Sequence, residues 1–280
     1  MSKSLLLIGG TGFLGSALRK TFADSPYTVT YTGTHAKPGE ENYLVLDLFK
    51  ESDAAKVRDF DIVVNLTGQF VEPLSKCFAL NTRGMWNLLQ ALKPGKQKLI
   101  QISTTLVYGT VPTATEDLPL DPEFPYAAGK ATAEFLLQTS LPEDRFLIAR
   151  LSNLYGEEQS KGLLWYILNC VQNGKTIAIA DNNGELRRQF LHVEDAARII
   201  HDLIEANATG TINVPGPETF TIKELVSLCE RITGKTLTAT YVTTPPRGNI
   251  DEISSEKLHS LIPVAYRHSV EDYLRRSLLH

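Results

Sequence analysis

The chain has 280 residues, 42% of them hydrophobic, and its 28 basic and 32 acidic side chains give a formal net charge of −4. This balance argues against a nucleic-acid-binding surface, which would need clustered Lys and Arg. Three widely spaced cysteines fit neither a disulfide framework nor a zinc site, so no metal is expected. The apolar run after Lys3 is too short for a signal peptide or a membrane span. We therefore expect a soluble, cytoplasmic protein without a nucleic-acid or membrane partner.

The first half of the sequence alternates strand and helix patterns. Strands are predicted at residues 4–9, 27–32, 43–46, 61–66, 98–103 and 145–151. Helices are predicted at residues 13–23, 51–58, 72–92 and 126–139. Strands separated by helices pair in parallel through right-handed crossovers. The pattern predicts an α/β fold with a Rossmann-type doubly wound parallel sheet, which binds its ligand at the carboxyl ends of the strands.

After residue 151 the alternation loosens and the predicted loops become longer. Pro215-Gly216-Pro217 and Pro245-Pro246 are the clearest breaks, because proline and glycine interrupt regular structure. We predict a doubly wound domain over residues 1–155 and a smaller C-terminal lobe over residues 156–280. The two are expected to be interleaved, since a strand predicted at 211–214 can return to the main sheet.

A glycine-rich turn joins the first predicted strand to the first predicted helix. It consists of Gly9, Gly10, Thr11, Gly12, Phe13, Leu14 and Gly15. Glycines allow a tight turn and a close approach of the backbone to a pyrophosphate, which the helix N-terminus attracts. The order of strand, turn and helix is the context of a dinucleotide-binding motif, although a plain strand-to-helix turn is the alternative. We therefore predict that residues 1–155 bind NAD(P), with the smaller lobe binding the substrate.

The end of the second predicted strand bears on the choice of coenzyme. An acidic residue at this place would bind the ribose 2′-hydroxyl of NAD. Residues 30–36 contain no Asp or Glu, and Gly33, Thr34 and His35 occupy the place. They leave room and donors for a 2′-phosphate, which favours NADP(H), with NAD(H) as the second choice. Alternatively, they are ordinary turn residues.

Tyr126 and Lys130 lie four residues apart at the start of a predicted helix, so both side chains share one helix face. A free tyrosine has a pKa of about 10, and a neighbouring ammonium favours its phenolate. Tyr126 is thus a candidate general acid/base, and Lys130 a candidate ligand of the nicotinamide ribose. Such a pair is common by chance. The preceding strand, however, ends in Ser103-Thr104-Thr105, whose hydroxyl groups would lie beside the coenzyme.

The segment Ser103-Thr104-Thr105-Leu106-Val107-Tyr108-Gly109 resembles the active-site strand end of the extended short-chain dehydrogenase/reductases, the nucleotide-sugar epimerase/dehydratase family. The Gly-x-x-Gly-x-x-Gly spacing that starts at Gly9 resembles the same superfamily. The resemblance implies that Thr104 is catalytic together with Tyr126 and Lys130. The alternative for Thr104 is a capping or turn role.

Further segments along nearly the whole chain resemble the same family. They imply coenzyme contacts from Asp47, Leu48, Leu66, Thr67, Gly68 and Asn81, in addition to the glycine-rich turn and the Tyr–Lys pair. They imply substrate contacts from Thr104, Asn153, Arg188 and Arg247. In the family the two arginines meet the diphosphate of a sugar nucleotide, for which guanidinium groups are suited. Two solvent-exposed arginines are the alternative, and His192 is expected to be a packed structural residue.

The resemblance implies hydride transfer on a nucleotide sugar, either 4-keto reduction or 4-epimerisation, with Tyr126 as the general acid/base. Dehydration is not expected, because Thr105 and Leu106 stand where dehydratases carry an Asp-Glu pair. The alternatives are reduction of a non-nucleotide carbonyl compound and a non-catalytic protein that senses NADP(H). Family members pair through two long helices, here 72–92 and 126–139, so a homodimer is expected.

Overall fold

The computed structural model describes residues 2–68, 73–180, 182–245 and 247–279. Within these residues the strands are β1 (Ser4–Ile8), β2 (Thr28–Gly33), β3 (Tyr43–Val45), β4 (Ile62–Asn65), β5 (Lys98–Thr104), β6 (Val111–Ala114), β7 (Phe146–Leu151), β8 (Asn153–Tyr155), β9 (Ile177–Ala180), β10 (Arg187–His192), β11 (Gly210–Val214), β12 (Glu218–Thr221), β13 (Ala239–Val242) and β14 (Ile250–Ile253). The α-helices are α1 (Phe13–Phe22), α2 (Glu51–Ala54), α3 (Leu74–Ala79), α4 (Met85–Ala91), α5 (Pro125–Ser140), α6 (Leu163–Gln172), α7 (Val193–Glu205), α8 (Ile222–Thr233), α9 (Glu256–Leu261) and α10 (Val270–Leu279).

The main sheet has seven parallel strands in the order β11-β7-β5-β4-β1-β2-β3. From β1 the chain moves outward to β2 and β3, and then returns to β4 on the other side of β1. The carboxyl ends of β1 and β4 therefore flank the point at which the strand order reverses, where sheets of this kind bind ligands. The predicted doubly wound parallel sheet is confirmed.

Helices cover both faces of this sheet. Leu5 and Leu7 of β1 share a core with α1 and α7, whereas Leu6 and Ile8 share a core with α4 and α5 on the opposite face. Successive strand residues point to opposite faces, so a strand covered on both sides is apolar throughout. Each fully buried leucine stabilises the fold by about 2 kcal/mol relative to exposure.

The smaller sheets lie outside this layer. β10 pairs antiparallel with β12 and parallel with β8, while β13 pairs with β9 and β14 with β6. A separate core around Tyr155, Leu164 and Leu225 unites α6, α8 and α10. The pairing of β14 with β6 connects the C-terminal part to the segment that follows β5.

The sheets do not divide at residue 155, where the sequence places the domain boundary. β8 ends at that residue but belongs to a smaller sheet, and β11 follows it but pairs in parallel with β7 at the edge of the main sheet. The division into 1–155 and 156–280 stays a prediction. None of the helices in the described residues has the length and apolar character needed to cross a membrane.

Two predicted helices differ in detail from the structure. The helix predicted at 72–92 consists of α3, a π-helical segment at Leu80–Gly84, and α4, while residue 72 lies outside the described residues. The helix predicted at 51–58 ends as α2 at Ala54 and continues as the 3₁₀ turn Ala55–Asp59. Apolar periodicity reports a helical face but does not distinguish α, 3₁₀ and π hydrogen bonding.

Candidate active site

The glycine-rich turn is built by close backbone packing between β1 and α1. A β-carbon at Gly10 would lie 2.6 Å from Tyr31 Cβ, and one at Gly15 would lie 2.6 Å from Gly10 Cα. Gly9 has a φ of +81°, a conformation that favours glycine. The local packing therefore requires glycine at all three positions, whatever the turn binds.

The N-terminus of α1 emerges from this turn at the reversal point of the sheet. Gly12 is its N-cap and offers no side-chain cap, and no acidic residue lies in the first helical turn. The first amide groups of a helix have no intrahelical acceptor and carry the positive end of the helix dipole. A β-carbon at Gly9 would lie 3.7 Å from backbone atoms of Leu66 and Thr67, so the turn adjoins the end of β4. This donor set fits the pyrophosphate of a dinucleotide.

The end of β2 carries no carboxylate, but the space beside Gly33 is filled. A β-carbon at Gly33 would lie 2.6 Å from Tyr43 Oη and 3.3 Å from Thr11 Cγ2. Tyr43 Oη donates to His35 O at 2.5 Å, and Thr34 Oγ1 lies 3.0 Å from His35 Nδ1. Tyr43 of β3 therefore occupies the place that a side chain at Gly33 would take. The polar groups of Thr34 and His35 lie at the exposed surface beside it. Room for a 2′-phosphate beside these residues stays a prediction.

Asp47 and Leu48 follow β3 and are held by their surroundings. Asp47 Oδ1 accepts a hydrogen bond from Phe49 N at 3.0 Å, and Leu48 O accepts one from Asn87 Nδ2 at 2.8 Å. The Asp47 carboxylate thus stabilises its own turn. Contacts of these two residues with a coenzyme stay a prediction.

Lys130 lies where the loop after β4 meets α5. Its Nζ donates to Thr67 O at 2.8 Å and to Ile102 O at 2.9 Å, and the residue is 2% exposed. A β-carbon at Gly68 would lie 2.9 Å from that nitrogen and 3.9 Å from the Tyr126 ring. The structure therefore brings together the Tyr–Lys pair and the predicted loop 66–68, beside the reversal point of the sheet.

Burial changes the acidity of both members of this pair. Desolvation lowers the pKa of Lys130 to about 8, although the neighbouring Cys77 and Glu134 oppose the shift. Desolvation also raises the pKa of Tyr126 well above its ordinary value, with a further contribution from Cys77. Both directions follow because an apolar surrounding disfavours the charged form. In the chain by itself the pKa of Tyr126 is thus shifted upward, opposite to the lowering expected from Lys130.

Thr104 ends β5 and caps the 3₁₀ turn Thr105–Tyr108. Its Oγ1 accepts a hydrogen bond from Leu106 N at 3.3 Å, and the residue is 8% exposed. The capping role that the sequence left open is therefore present. A hydroxyl that accepts at its oxygen still has a proton to donate, so the cap does not exclude the catalytic role, which stays a prediction.

Asn81 lies in the π-helical segment and packs against α5. Its Nδ2 donates to Cys77 O at 2.9 Å and lies 3.8 Å from Cys77 Sγ. A β-carbon at Gly129 would lie 3.4 Å from Asn81 Nδ2 and 3.6 Å from Cys77 Sγ. Asn81 and Cys77 thus pack on the turn of α5 that carries Tyr126 and Lys130. Single π turns are frequent at functional sites, although a contact of Asn81 with the coenzyme stays a prediction.

A narrow cleft with room for about one water molecule lies between the main sheet and the smaller sheets. Its walls come from the 3₁₀ turn after β5 and from β8, β10 and β14, and they include Asn153 and Arg188. The Arg188 guanidinium donates to Gly248 O at 3.1 Å and to Arg247 O at 3.2 Å. Asn153 Nδ2 donates to Gln189 O at 3.1 Å. The predicted substrate residues Asn153 and Arg188 are therefore neighbours in one cleft.

Arg247 takes part in this cleft through its backbone. The residue is exposed and is not among those that line the cleft. Its carbonyl accepts from Arg188, and the following Gly248 N donates to Glu123 Oε2 at 2.5 Å. A role for the Arg247 side chain in binding a diphosphate stays a prediction.

His192 is buried, at 1% exposure, and stacks on His268 with ring centroids 3.8 Å apart and an interplanar angle of 15°. Its Nε2 lies 3.1 Å from Glu157 Oε2. His192, Glu194 and His268 have ligand atoms within 4.8 Å of one another, which is the spacing of a possible metal group. Two nearly parallel rings at this distance direct their lone pairs in separate planes, however, so one ion cannot lie in both. In this arrangement the histidines pair with carboxylates.

Sequence reasoning missed the polar groups that support this site. Glu134 is fully buried and pairs with Arg150, and Tyr43 fills the space beside Gly33. Glu134 follows Lys130 by four residues, so the spacing already placed both on one helix face. Arg150 begins the 150–156 segment that resembles the family, but that resemblance gave it no role. No local pattern pointed to Tyr43, which reaches the site because β3 pairs with β2.

The sequence matches the NAD dependent epimerase/dehydratase family over residues 5–215. One relative is UDP-glucuronic acid decarboxylase 1 of Danio rerio, 26% identical over 255 residues that cover 82% of this chain and 60% of that protein. This chain therefore spans about three fifths of the length of that relative. Another is dTDP-glucose 4,6-dehydratase 1 of Escherichia coli strain K12, 28% identical over 278 residues that cover 81% of this chain and 76% of that protein.

A solved structure with a similar fold is UDP-glucuronic acid 4-epimerase of Bacillus cereus in complex with UDP-glucuronic acid and NAD. The two chains superpose with a TM-score of 0.84 at 23% identity, over 98% of each chain. At this identity the likeness establishes the common fold.

Proposed function

Because the chain belongs to the NAD-dependent epimerase/dehydratase family, we propose that it is an NAD(P)-dependent oxidoreductase or epimerase that acts on carbon 4 of a nucleotide sugar. The observation that carries this proposal is the position of Lys130. Its ammonium is bonded to Thr67 O and Ile102 O beside the reversal point of the sheet, one helical turn from Tyr126. Both 4-keto reduction and 4-epimerisation require a proton donor and acceptor at such a place.

The residues around this point fit a bound dinucleotide. The backbone of the glycine-rich turn and the N-terminus of α1 would hold its pyrophosphate, and Lys130 its nicotinamide ribose. The bound coenzyme would supply or accept the hydride. Every proton movement would then belong to side chains of this chain.

Tyr126 is the proposed general acid/base. Burial holds it in the phenol form, which suits proton donation to the oxygen of a ketone as that oxygen gains negative charge. In the opposite direction, the phenolate must form next to the Lys130 ammonium, whose charge favours it. Thr104 would donate to the same sugar oxygen and fix its position.

Arg188 and Asn153 support a substrate that carries phosphate groups. A guanidinium group offers paired N–H donors to phosphate oxygens, and Arg188 already lines the cleft with its donors on carbonyl oxygens. Dehydration, the reaction for which the E. coli relative is named, is not proposed. Thr105 and Leu106 stand next to Thr104, and neither side chain titrates near neutral pH.

Two other functions remain candidates. A reductase of a non-nucleotide carbonyl compound would use the same Tyr126 and Lys130 but would not need Arg188 in the cleft. A protein that senses NADP(H) without turnover would not need a proton donor beside the coenzyme. The intact Thr104, Tyr126 and Lys130 favour an enzyme over a sensor.

The test starts with a thermal-shift screen of nucleotide sugars with each coenzyme, followed by turnover assays with the ligands found. Tyr126→Phe should lower kcat by about 10²- to 10⁴-fold while leaving coenzyme affinity unchanged. The control is Tyr166→Phe on α6, whose hydroxyl donates to Ala178 O of β9 and bonds to no residue of the Tyr–Lys pair in the described residues, and it should keep full activity. If the parent chain binds coenzyme but turns over no carbonyl or nucleotide sugar, the sensor function is supported instead.

We propose a preference for NADP(H) over NAD(H), on the ground that no carboxylate of β2 is available to bind a ribose 2′-hydroxyl. The family, by contrast, is described as NAD dependent, and the B. cereus epimerase was crystallised in complex with NAD. The preference therefore rests on Gly33, Thr34 and His35 alone. Tighter binding of NADH than of NADPH would overturn it.

A homodimer is also proposed. Three large apolar side chains are exposed on neighbouring helices, namely Phe78 on α3 at 40%, Trp86 on α4 at 51% and Phe135 on α5 at 64%. Grouped exposed apolar side chains of this size favour a protein interface. Light scattering after size-exclusion chromatography would test it, and a monomer mass at micromolar concentration would contradict it. A cytoplasmic location stays a prediction.

A further inference from the structure

A buried ion pair lies directly behind the Tyr–Lys pair. Glu134 follows Lys130 by one turn of α5 and is fully buried, and Arg150 of β7 is 3% exposed. Arg150 donates to Glu134 through Nη2 at 2.7 Å and through Nε at 3.1 Å. Attraction between two buried charges often fails to recover the free energy lost on removing them from water. Stability alone is therefore a poor reason for this pair.

The Glu134 carboxylate also reaches the strand that carries Thr104. Ser103 Oγ donates to Glu134 Oε1. Ser103 directly precedes Thr104 at the end of β5. One carboxylate on α5 therefore connects the helix of the proposed general acid to the strand end of the proposed hydroxyl donor.

A second branch of the network leads away from the site. Arg150 Nη1 donates to Tyr108 Oη at 2.7 Å, and Tyr108 Oη donates to Asn213 Oδ1 of β11 at 2.7 Å. Tyr108 and Asn213 are fully buried. Like the first branch, the second is buried and fully hydrogen-bonded. Among the described residues, however, neither Tyr108 nor Asn213 forms a hydrogen bond with Ser103 or Lys130. A substitution in this branch is therefore a control for the effect of Glu134 on Lys130.

The charged and titratable groups near Lys130 act on it in opposite directions. Cys77 of α3 and Glu134 of α5 favour its ammonium form, whereas desolvation disfavours it. Tyr126 shares its helix face, and Arg150 lies beyond Glu134. Without the Glu134 charge, the ammonium form of Lys130 would lose a stabilising anion, and the positive charge of Arg150 would stay uncompensated nearby. Both changes would lower the pKa of Lys130.

We propose that Glu134 is a positioning residue. Through its hydrogen bond with Ser103 it holds the Thr104 end of β5 in place against α5, and through its charge it keeps Lys130 protonated. This inference rests on the proposed hydride-transfer function. It assigns the buried ion pair to the geometry and protonation of the Tyr–Lys pair rather than to packing.

The first test is the titration of Lys130, which needs no substrate. NMR of the lysine side chains in isotope-labelled protein gives each midpoint, and the signal lost in Lys130→Arg identifies Lys130. The parent midpoint is expected near pH 8, and Glu134→Gln should lower it by about one pH unit. Tyr108→Phe, which cuts the distant branch, should lower the melting temperature without moving the midpoint. An unchanged midpoint in Glu134→Gln would overturn the electrostatic half of the proposal.

Glu134→Gln also leaves Arg150 without its anionic partner, which destabilises the fold. Ser103→Ala therefore provides the second test, since it keeps the ion pair and removes only the hydrogen bond to β5. It should lower kcat by about tenfold at unchanged coenzyme affinity, because a displaced Thr104 no longer meets the substrate oxygen. A kcat equal to that of the parent would overturn the positioning half. Absence of turnover in the parent would count against the proposed function, and the Lys130 titration would still decide the electrostatic half.

Discussion

The carboxyl edge of the main sheet and the cleft beside it are built in different ways. At the edge, backbone meets backbone, as where Gly15 packs on Gly10 without room for a β-carbon. In the cleft, a long side chain, Arg188, spans the space and bonds to carbonyl oxygens of the 247–248 loop. Backbone packing of this kind cannot adjust, whereas a side chain can exchange one acceptor for another. Substitutions should therefore have steep effects at the edge and graded effects in the cleft.

The two regions also differ in how they hold positive charge. Lys130 at the edge is 2% exposed, and burial lowers its pKa to about 8. Arg188 is half-buried, and a guanidinium group stays protonated throughout the accessible pH range. Only the edge should therefore respond to pH near neutrality.

Among the substitutions that compare the edge with the cleft, Gly15→Ala is expected to have the largest effect. In a helix, alanine is more favourable than glycine by about 1 kcal/mol. Any loss of coenzyme affinity must therefore come from the added β-carbon, which would lie 2.6 Å from Gly10 Cα. We expect coenzyme affinity to fall about 100-fold, or ~3 kcal/mol, in calorimetric titration. Gly39→Asn is the control, because Gly39 has open space and a positive φ that asparagine tolerates. A loss below threefold would contradict a site built by backbone packing.

The second effect is the pH dependence that Lys130 contributes to stability. Its pKa falls from 10.5 to about 8 on folding, so the folded state binds fewer protons than the unfolded state between these values. Stability from this group therefore rises with pH across that window, by about 3 kcal/mol in total. Between pH 7 and pH 10.5, the free energy of unfolding of the parent should gain about that amount relative to Lys130→Met in urea titrations. A constant difference between the parent and Lys130→Met would contradict the burial of a charged Lys130.

A smaller effect is expected in the cleft for Arg188→Ala. Loss of charge-assisted hydrogen bonds to a diphosphate should raise the KM for a nucleotide sugar about 10- to 100-fold, with little change in the KM for coenzyme. Arg275→Ala on α10, which removes an exposed i,i+4 ion pair, should change neither value. Equal effects of Arg188→Ala on both KM values would refute its assignment to the substrate.

The smallest effect concerns the choice between NADH and NADPH, which we assign to the exposed residues that follow β2. Tyr43 leaves no room for a side chain at Gly33, so a carboxylate is better introduced at the exposed Thr34. Thr34→Asp should shift the ratio of dissociation constants about tenfold in favour of NADH, because a carboxylate repels a 2′-phosphate and accepts from a 2′-hydroxyl. Thr34→Asn is matched in size without the charge and should shift the ratio far less. An unchanged ratio in Thr34→Asp would show that the adenosine ribose lies elsewhere.

The sequence was informative wherever a function depends on neighbours along the chain. The glycine-rich turn was predictable because its close packing joins residues within one strand–turn–helix unit, and the Tyr126–Lys130 pair because four residues make one helical turn. The main sheet followed from strands alternating with helices. Helix type was not predictable at Leu80–Gly84, since the π turn depends on how α3 and α4 pack rather than on apolar spacing.

By itself, then, the sequence determined the doubly wound sheet, the coenzyme turn and the candidate acid/base pair, because local geometry and covalent spacing dictate them. Only the tertiary structure decided that Tyr43 fills the space at Gly33, that Glu134 pairs with Arg150, and that burial raises the pKa of Tyr126. Each of these depends on residues distant in the sequence becoming neighbours and excluding water. Desolvation is a property of the whole packed interior, and no short motif carries it.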